Sequence, residues 1–162
     1  MTSAIGIIKD EHRSMAAMLK ALQAHLVQVH AGTLAPDFAL AGAMLDYLQA
    51  YPERLHHPKE DETLFRLLRR RCVEARPTLD ELEAQHLRGA EWMGELRRAL
   101  ERSRAAGDFS ALGPVLAAYA DFQWKHMRME EEIILPLAER DLTAEDWQHV
   151  DAAFAANREP GW

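Results

Sequence analysis

The chain has 162 residues, the length of one domain, with 48% hydrophobic and 28% charged residues, which is typical of a folded globular protein. A net charge of −7 without any basic stripe excludes nucleic acid as the main partner, because phosphate contacts require clustered Lys and Arg. The single cysteine excludes an internal disulfide, and no apolar run approaches the roughly 20 residues that span a bilayer, so we expect one cytoplasmic domain over residues 1–162 with no membrane partner.

Apolar residues recur every three or four positions along the first segment of the chain. This spacing predicts an amphipathic helix, and Gly32 and Pro36 predict its end and a short loop. The stripe consists of Ile5, Ile8, His12, Met15, Leu19, Leu22, Leu26 and Val29.

The second predicted helix runs from about residue 37 to residue 72 and contains Pro52 and Pro58. Each proline removes an amide donor and tends to kink a helix, so a break into two helices is the alternative. Two prolines on either side of His56 conflict with helix propensity, and such conflicts are typical of functional sites. The stripe of this helix consists of Leu45, Leu48, Pro52, His56, Glu60, Thr63 and Leu67.

The third helix is predicted to open at Pro77 and Thr78, with Thr78 as its N-cap and Glu81 three residues later. Residues 105–113 are predicted to form the loop that follows it. The stripe of the third helix consists of Leu79, Leu82, His86, Gly89, Met93, Leu96 and Leu100.

The fourth helix is predicted to end near Pro136 or slightly beyond, and Thr143 with Asp146 predicts the start of a short fifth helix. Four long helices with short connections predict an all-α fold, an up-down-up-down four-helix bundle with a short C-terminal fifth helix. The fourth stripe consists of Val115, Tyr119, Phe122, His126, Met129 and Ile133, and the fifth helix carries Trp147 and Val150.

Each of the four long stripes contains one histidine, and on two of the helices a glutamate follows the histidine by four residues. Residues at positions i and i+4 lie on one face of a helix, one turn apart, so both side chains can converge on one ion. The candidate metal ligands are His12, His56, Glu60, His86, His126 and Glu130.

These candidates are predicted to lie at one level of the bundle. His12 and His86 lie about two turns from the starts of their helices, and Glu60 and Glu130 lie roughly three turns from the ends of theirs. In an up-down-up-down bundle those starts and ends share one end of the molecule. All six side chains then fall within about 10–24 Å of that end and can meet in one layer.

Burying so many ionisable groups costs several kcal/mol each unless they are paired or bind metal, roughly as for any buried charge. A metal-free network of His–Glu ion pairs is therefore the alternative to a metal site. Imidazole with carboxylate and no thiolate suits iron, manganese, zinc or copper. The donors are too many for one tetrahedral zinc and suit two octahedral ions bridged by the carboxylates, with open positions for a small ligand.

At these residues the sequence resembles the hemerythrin-like family, also called the HHE cation-binding domain, over about residues 4–140. The segments on the second and fourth helices are the more specific ones. The matching segments are Asp10-Glu11-His12, residues 56–62 with Leu64-Phe65, Gln85-His86 with Gly89, and His126 through Glu130-Glu131-Glu132 to Leu135-Pro136.

The resemblance implies two iron ions joined by an oxygen bridge, with manganese or zinc as alternatives. It implies terminal ligation by His12, His56, His86 and His126, and bridging by the two glutamates. Oxygen-carrying members have two histidines one turn apart on the third helix, whereas this chain has Leu82 and Ala90 a turn from His86. That departure leaves one iron short of a ligand and weighs against reversible oxygen carriage.

His57 is a candidate for the additional metal ligand, if the kink at Pro58 turns it inward; the alternative is a position behind the ligands, without contact to metal, or at the surface. Glu131 and Asp61 are expected to tune the site from outside the ligand set. His25, His30 and His149 are expected to lie away from the site.

The resemblance implies a protein that binds or reacts with dioxygen, peroxide or nitric oxide, or that senses or handles iron. A metal-responsive regulatory or interaction module without turnover is the alternative, and a metal-free helical interaction protein is a third. The Glu-x-x-His spacings at Glu53 and Glu83 also allow a ferritin-like carboxylate site, although both glutamates are expected to face solvent. The partner protein is left open, with a homodimer as one alternative.

Overall fold

The computed structural model describes residues 3–156, and within that range the chain is helical and contains no strand. The all-α prediction is therefore confirmed, whereas the up-down-up-down order of connections stays a prediction. Residues 1–2 and 157–162 of the predicted single domain lie outside the described residues. The helices are α1 (Ala4–His30), α2 (38–71), α3 (Arg76–Ala106), α4 (112–141) and α5 (Ala144–Ala155), and a 3₁₀ turn, Val73–Ala75, connects α2 to α3.

Helix α2 is continuous, so the predicted alternative of a break into two helices is wrong. It contains two π-helical segments, Gln49–His56 and Glu60–Phe65, with one α-helical turn, His57–Lys59, between them. The backbone N–H of His57 donates to the carbonyl of Pro52, five residues back, which is the π-helical register. Pro52 lies inside the first π-helical segment and Pro58 in the α-helical turn after it, and the helix continues past both prolines.

Helix α4 also contains a π-helical segment, close to its end. A π-helical segment, Glu130–Ile134, follows the α-helical segment Leu112–Met129, and the helix continues as Leu135–Asp141. Pro136 lies directly after the π-helical segment, in the first turn of that last segment, and the helix runs past the proline to Asp141.

The predicted N-cap at Thr78 is wrong, because α3 already begins at Arg76, with Ala75 in the N-cap position. Pro77 occupies the first turn, where its fixed φ angle suits a helix. At the other end, Gly107 has a φ of 79°, the left-handed conformation that commonly closes a helix.

The short helix α5 is joined to the bundle by hydrogen bonds to two of its aspartates. The Thr143 side chain accepts a hydrogen bond from the Asp146 amide and the Asp146 side chain accepts one from the Thr143 amide, so the two form a capping box. The Arg71 guanidinium donates to Asp146 at 2.8 Å, and the Ala4 amide donates to Asp151 at 2.8 Å. These contacts join α5 to the end of α2 and to the start of α1.

Two apolar clusters fill the bundle, and on each long helix the candidate ligands lie between them. One cluster includes Ile7, Phe65, Leu79 and Phe154, and the other includes Leu19, Leu45, Leu96 and Tyr119. Within residues 3–156 none of the helices combines the length and apolar character that a membrane crossing requires.

Candidate metal centre

Seven side chains with nitrogen or oxygen donors meet in the layer between the two apolar clusters. None is more than 8% exposed, and they come from all four long helices. The layer contains all six predicted ligands together with His57: His12, His56, His57, Glu60, His86, His126 and Glu130.

The donors form two adjacent groups that share a carboxylate. Within each group the facing donor atoms all lie within 4.8 Å of one another, close enough to surround one ion. The first group consists of His12, His56, Glu60 and Glu130, and the second consists of His57, Glu60, His86 and His126.

Both carboxylates extend across the two groups. One Glu60 oxygen lies 3.3 Å from His56 Nε2, and the other lies 3.4 Å from His86 Nε2. One Glu130 oxygen lies 3.2 Å from His12 Nε2, and the other contacts His126 Nε2. A carboxylate with one oxygen toward each group has the arrangement required to bridge two ions.

His57 belongs to the buried layer, so the predicted alternative of a surface position is wrong. It is 4% exposed, and its ring stacks on that of His86, with centroids 4.2 Å apart and planes 11° apart. His57 supplies a third imidazole to the second group, so it takes the place of the additional donor that the third helix lacks.

Many of the inward-facing polar atoms have no hydrogen-bond partner. They include both oxygens of Glu60 and Glu130, both ring nitrogens of His57, and Nε2 of His12 and His56. A buried polar atom without a partner costs about 1–3 kcal/mol, so without metal these atoms are satisfied only if the histidines are protonated and pair with the facing carboxylates at 3.2–3.4 Å. Lone-pair donors converging from several sides fit metal cations.

The outer nitrogens of the histidines are satisfied by a second layer of side chains. The Nδ1–H group of His56 donates to Glu11 at 2.6 Å, and that of His86 donates to Asp61 at 2.7 Å. With the proton on Nδ1, the Nε2 lone pair faces the centre, as ligation requires. The other two pairs are His12 with Glu131 at 3.3 Å and His126 with Gln85 at 2.7 Å.

These four hydrogen bonds form a closed ring around the bundle. They join α1 to α4, α4 to α3, α3 to α2, and α2 back to α1. Each acceptor is the sequence neighbour of a candidate ligand on its own helix. Glu131 and Asp61 were expected in this role; Glu11 and Gln85 were missed, although their adjacency to His12 and His86 was a usable signal.

The charges in the layer raise the pKa values of some histidines and lower that of another. Burial alone lowers the pKa of His56, but the carboxylates of Glu60 and Glu11 outweigh it and raise the pKa to about 10. Burial is likewise outweighed at His12, whose pKa rises to about 9 beside Glu130 and Glu131, and at His86, whose pKa rises to about 12.

Two other groups, His57 and Glu130, have pKa values well below their ordinary ones. Burial and the neighbouring imidazoles hold the pKa of His57 well below 6.5. Burial alone raises the pKa of Glu130, but His126 and His12 outweigh it and hold that pKa well below 4.5. The layer therefore keeps an ionised carboxylate and a neutral imidazole ready to act as ligands.

Glu53 does not face solvent, so that expectation is wrong. Its side chain is 8% exposed, one oxygen lies 3.7 Å from His57 Nδ1, and burial raises its pKa to about 7. The Tyr119 hydroxyl donates to Glu53 at 3.4 Å. Glu53 lies outside both donor groups. Glu83, by contrast, lies at the surface, where it accepts from Arg69 at 3.0 Å.

The remaining histidines lie away from the layer, as expected. His25 accepts a hydrogen bond from the amide of Asp37 and contacts Phe109 in the distant apolar cluster. His30 and His149 are exposed and belong to neither donor group.

Comparison with known proteins gives a family assignment that agrees with the resemblance. The family model of the hemerythrin HHE cation binding domain matches residues 3–138, which include all seven donors of the layer. No curated protein and no solved structure matched the chain. The chain therefore belongs to the hemerythrin HHE cation-binding domain family.

Proposed function

We propose that this protein holds two iron ions and uses them to bind or transform a small ligand such as dioxygen, peroxide or nitric oxide. The observation that carries the proposal is the convergence of unpartnered nitrogen and oxygen atoms in two groups joined by carboxylates. When bound, such an iron pair supplies Lewis-acid and redox chemistry to a small molecule.

In this proposal His12 and His56 hold one ion, three histidines hold the other, and Glu60 and Glu130 bridge the two. The carboxylate distances support the bridging role, because each glutamate has one oxygen near each group. The three histidines of the second ion are His57, His86 and His126.

The small ligand is expected at the ion held by His12 and His56, because that group has one imidazole fewer. Its surroundings exclude bulk water: both rings are almost fully buried, and the ring of Phe154 from α5 lies edge-on to His56 at 6.2 Å. A dry site strengthens the electrostatic interaction between a metal and a developing charge on its ligand.

The donor chemistry suits iron and weighs against a tetrahedral zinc site. All donors are imidazole nitrogens or carboxylate oxygens, whereas the lone thiol, Cys72, belongs to an apolar cluster. Such a set suits iron, manganese or zinc, and the donor number exceeds what tetrahedral zinc uses. The family to which the chain belongs is described as a cation-binding domain, and the resemblance noted in the sequence implies that the cations are iron.

The direct test is the metal content of freshly purified protein, combined with an absorption spectrum before and after reduction. We expect two irons per chain and near-ultraviolet bands that bleach on reduction. Protein without metal that also takes up none anaerobically from ferrous iron would overturn the proposal. Two zinc ions per chain would retain the site and remove the redox function.

A metal-responsive regulatory role is the second candidate, and the irregular backbone of α2 favours it. π-helical segments on both sides of the turn His57–Lys59 can rearrange when ligands are lost. Turnover of peroxide or nitric oxide would favour the reactive centre. A metal-dependent change in protease sensitivity near Pro52, without turnover, would favour regulation.

A further inference from the structure

His57 differs from the other four histidines of the layer in having no outer hydrogen bond. Each of the other four donates from Nδ1 to a side chain on a neighbouring helix, at 2.6–3.3 Å. The acidic oxygen nearest to His57 Nδ1 is that of Glu53, at 3.7 Å, which is too long for a hydrogen bond. Closing that gap needs a shift of about 0.5 Å to reach hydrogen-bond length.

Glu53 is held in the interior by a chain of donors from α4. The Gln123 amide donates to the Tyr119 hydroxyl at 3.0 Å, and that hydroxyl donates to Glu53 at 3.4 Å. Tyr119 and Gln123 are almost fully buried, at 0% and 1% exposure. Water is therefore excluded as the main partner of Glu53, and the carboxylate stays beside His57.

Gly89 on α3 provides the space that Glu53 occupies. A Cβ atom at position 89 would lie 2.1 Å from one Glu53 oxygen, 2.6 Å from the other and 2.7 Å from the carboxyl carbon. Any other residue at that position would therefore displace the carboxylate. The nearby Gly94 is different, because a Cβ there would meet only the flexible end of Arg98, at 3.3 Å.

We propose that Glu53 is the positioning residue for His57: it accepts the Nδ1–H hydrogen bond that aims the His57 Nε2 lone pair at the second ion. Gly89 admits the carboxylate, and Tyr119 with Gln123 holds it. This inference rests on the proposed metal pair, and it assigns to Glu53 the role that Glu11, Asp61, Gln85 and Glu131 have for the other four histidines.

The test measures how fast a ferrous chelator removes each iron from reduced protein loaded with two irons. Loss of an outer hydrogen-bond partner typically weakens metal binding by about 10–100-fold. We expect Glu53→Ala and Gly89→Ala to release one of the two irons at least about tenfold faster than the wild type, and the other iron at an unchanged rate. Gly94→Ala is the matched control and should release both irons as the wild type does. Glu53→Gln keeps an acceptor oxygen and should recover most of the retention.

Two combined variants separate positioning from general damage to the fold. In the Glu53→Ala background the space beside residue 89 is free, so adding Gly89→Ala should cause no further acceleration. Adding Glu53→Ala to His57→Ala should also change nothing, because the ligand that it orients is already gone. Wild-type release rates in both Glu53→Ala and Gly89→Ala, or additive effects in either combination, would overturn the inference.

The result is distinguishable from a failure of the proposed function. If the wild-type protein holds no iron pair, the proposed function fails before any variant is compared. If the wild type holds two irons and the Glu53 and Gly89 variants retain both normally, only the positioning role fails.

Discussion

His56 and His57 are adjacent in the chain, yet their imidazoles belong to different donor groups. Their ring centroids are 5.5 Å apart and their planes are 69° apart. In a regular α-helix, adjacent side chains are about 100° apart around the axis, so both seldom reach the same interior layer. The π-helical segments before and after this pair widen the turns and let both rings face the centre.

Replacing either of these histidines by alanine is expected to remove one iron and leave the other. Because His56 serves one group and His57 the other, each variant should bind about one iron per chain in place of two, by elemental analysis. His149→Ala, at an exposed position on α5, is the control and should keep both. Two tightly held irons in His57→Ala would remove that residue from the ligand set.

Metal content should depend more strongly on the two glutamates proposed as bridges than on any single histidine. Each contacts both donor groups, so Glu130→Ala is expected to lower the content of both irons, whereas Glu131→Ala should weaken binding by only about 10–100-fold. Metal content after dialysis against increasing chelator distinguishes the two effects. Full retention of two ions in Glu130→Ala would contradict the bridging assignment.

Metal should stabilise the folded chain. Binding to the folded state alone adds about 2.7 kcal/mol to the free energy of unfolding when free metal is at 100 times its dissociation constant. The unpartnered atoms of the layer give the physical reason, because bound ions would satisfy them. Thermal unfolding with ferrous iron under anaerobic conditions, and again with chelator, measures the difference. Identical melting temperatures would mean that the histidines have only a structural role.

Metal uptake should release protons and become stronger as the pH rises. In the metal-free protein His12, His56 and His86 have pKa values raised to about 9, 10 and 12, so all three carry a proton at pH 7. Ligation requires neutral imidazole, and three such groups correspond to about three protons released. Calorimetric titration in two buffers of different protonation enthalpy counts them, and His12→Ala should release about one fewer.

The same pKa shifts make the metal-free fold less stable as the pH rises, whereas metal binding becomes stronger. Because these folded-state pKa values lie above 6.5, the histidinium–carboxylate pairs stabilise the fold fully below pH 6.5 and lose that contribution as the pH rises through about 9 to 12. Metal-free protein should therefore lose stability progressively from about pH 6.5 to about pH 12, whereas loaded protein, whose histidines are already neutral, should lose less. Urea unfolding across that range tests the contrast.

The capping box should make a measurable contribution to stability. Thr143→Ala removes the side chain that accepts the Asp146 amide, and the free energy of unfolding should fall by about 1 kcal/mol. Thr78→Ala is the matched control: the same substitution, at the position where an N-cap was predicted but is absent, should change stability by less than about 0.5 kcal/mol. Equal losses in urea unfolding would contradict the role of the cap.

The sequence was sufficient to predict the layer of donors but not all its members. Apolar periodicity located the long helices, and counting turns brought His12, Glu60, His86 and Glu130 to one level. His57 could not be assigned in the same way, because regular helical geometry separates it from His56 by about 100° and only the π-helical segments bring both inward.

Glu53 was misjudged for a related reason. A charged residue between apolar positions is ordinarily solvent-exposed, and nothing in the order of residues shows that Gly89, on another helix, leaves room for it. The N-cap at Thr78 was misplaced because Pro77 is equally suited to the first turn of a helix, and the N-cap lies three residues earlier, at Ala75.

The closed ring of outer hydrogen bonds requires all four long helices to be in place before the site is complete. Every long helix contributes its own donors and also orients the histidine of a neighbour, so detaching α3 alone removes His86 and leaves His126 without Gln85. During synthesis α4 emerges last of the four and completes two of the links at once, to α3 and to α1. We therefore expect metal to bind only after all four long helices have packed together, and partly folded chains to retain no ion.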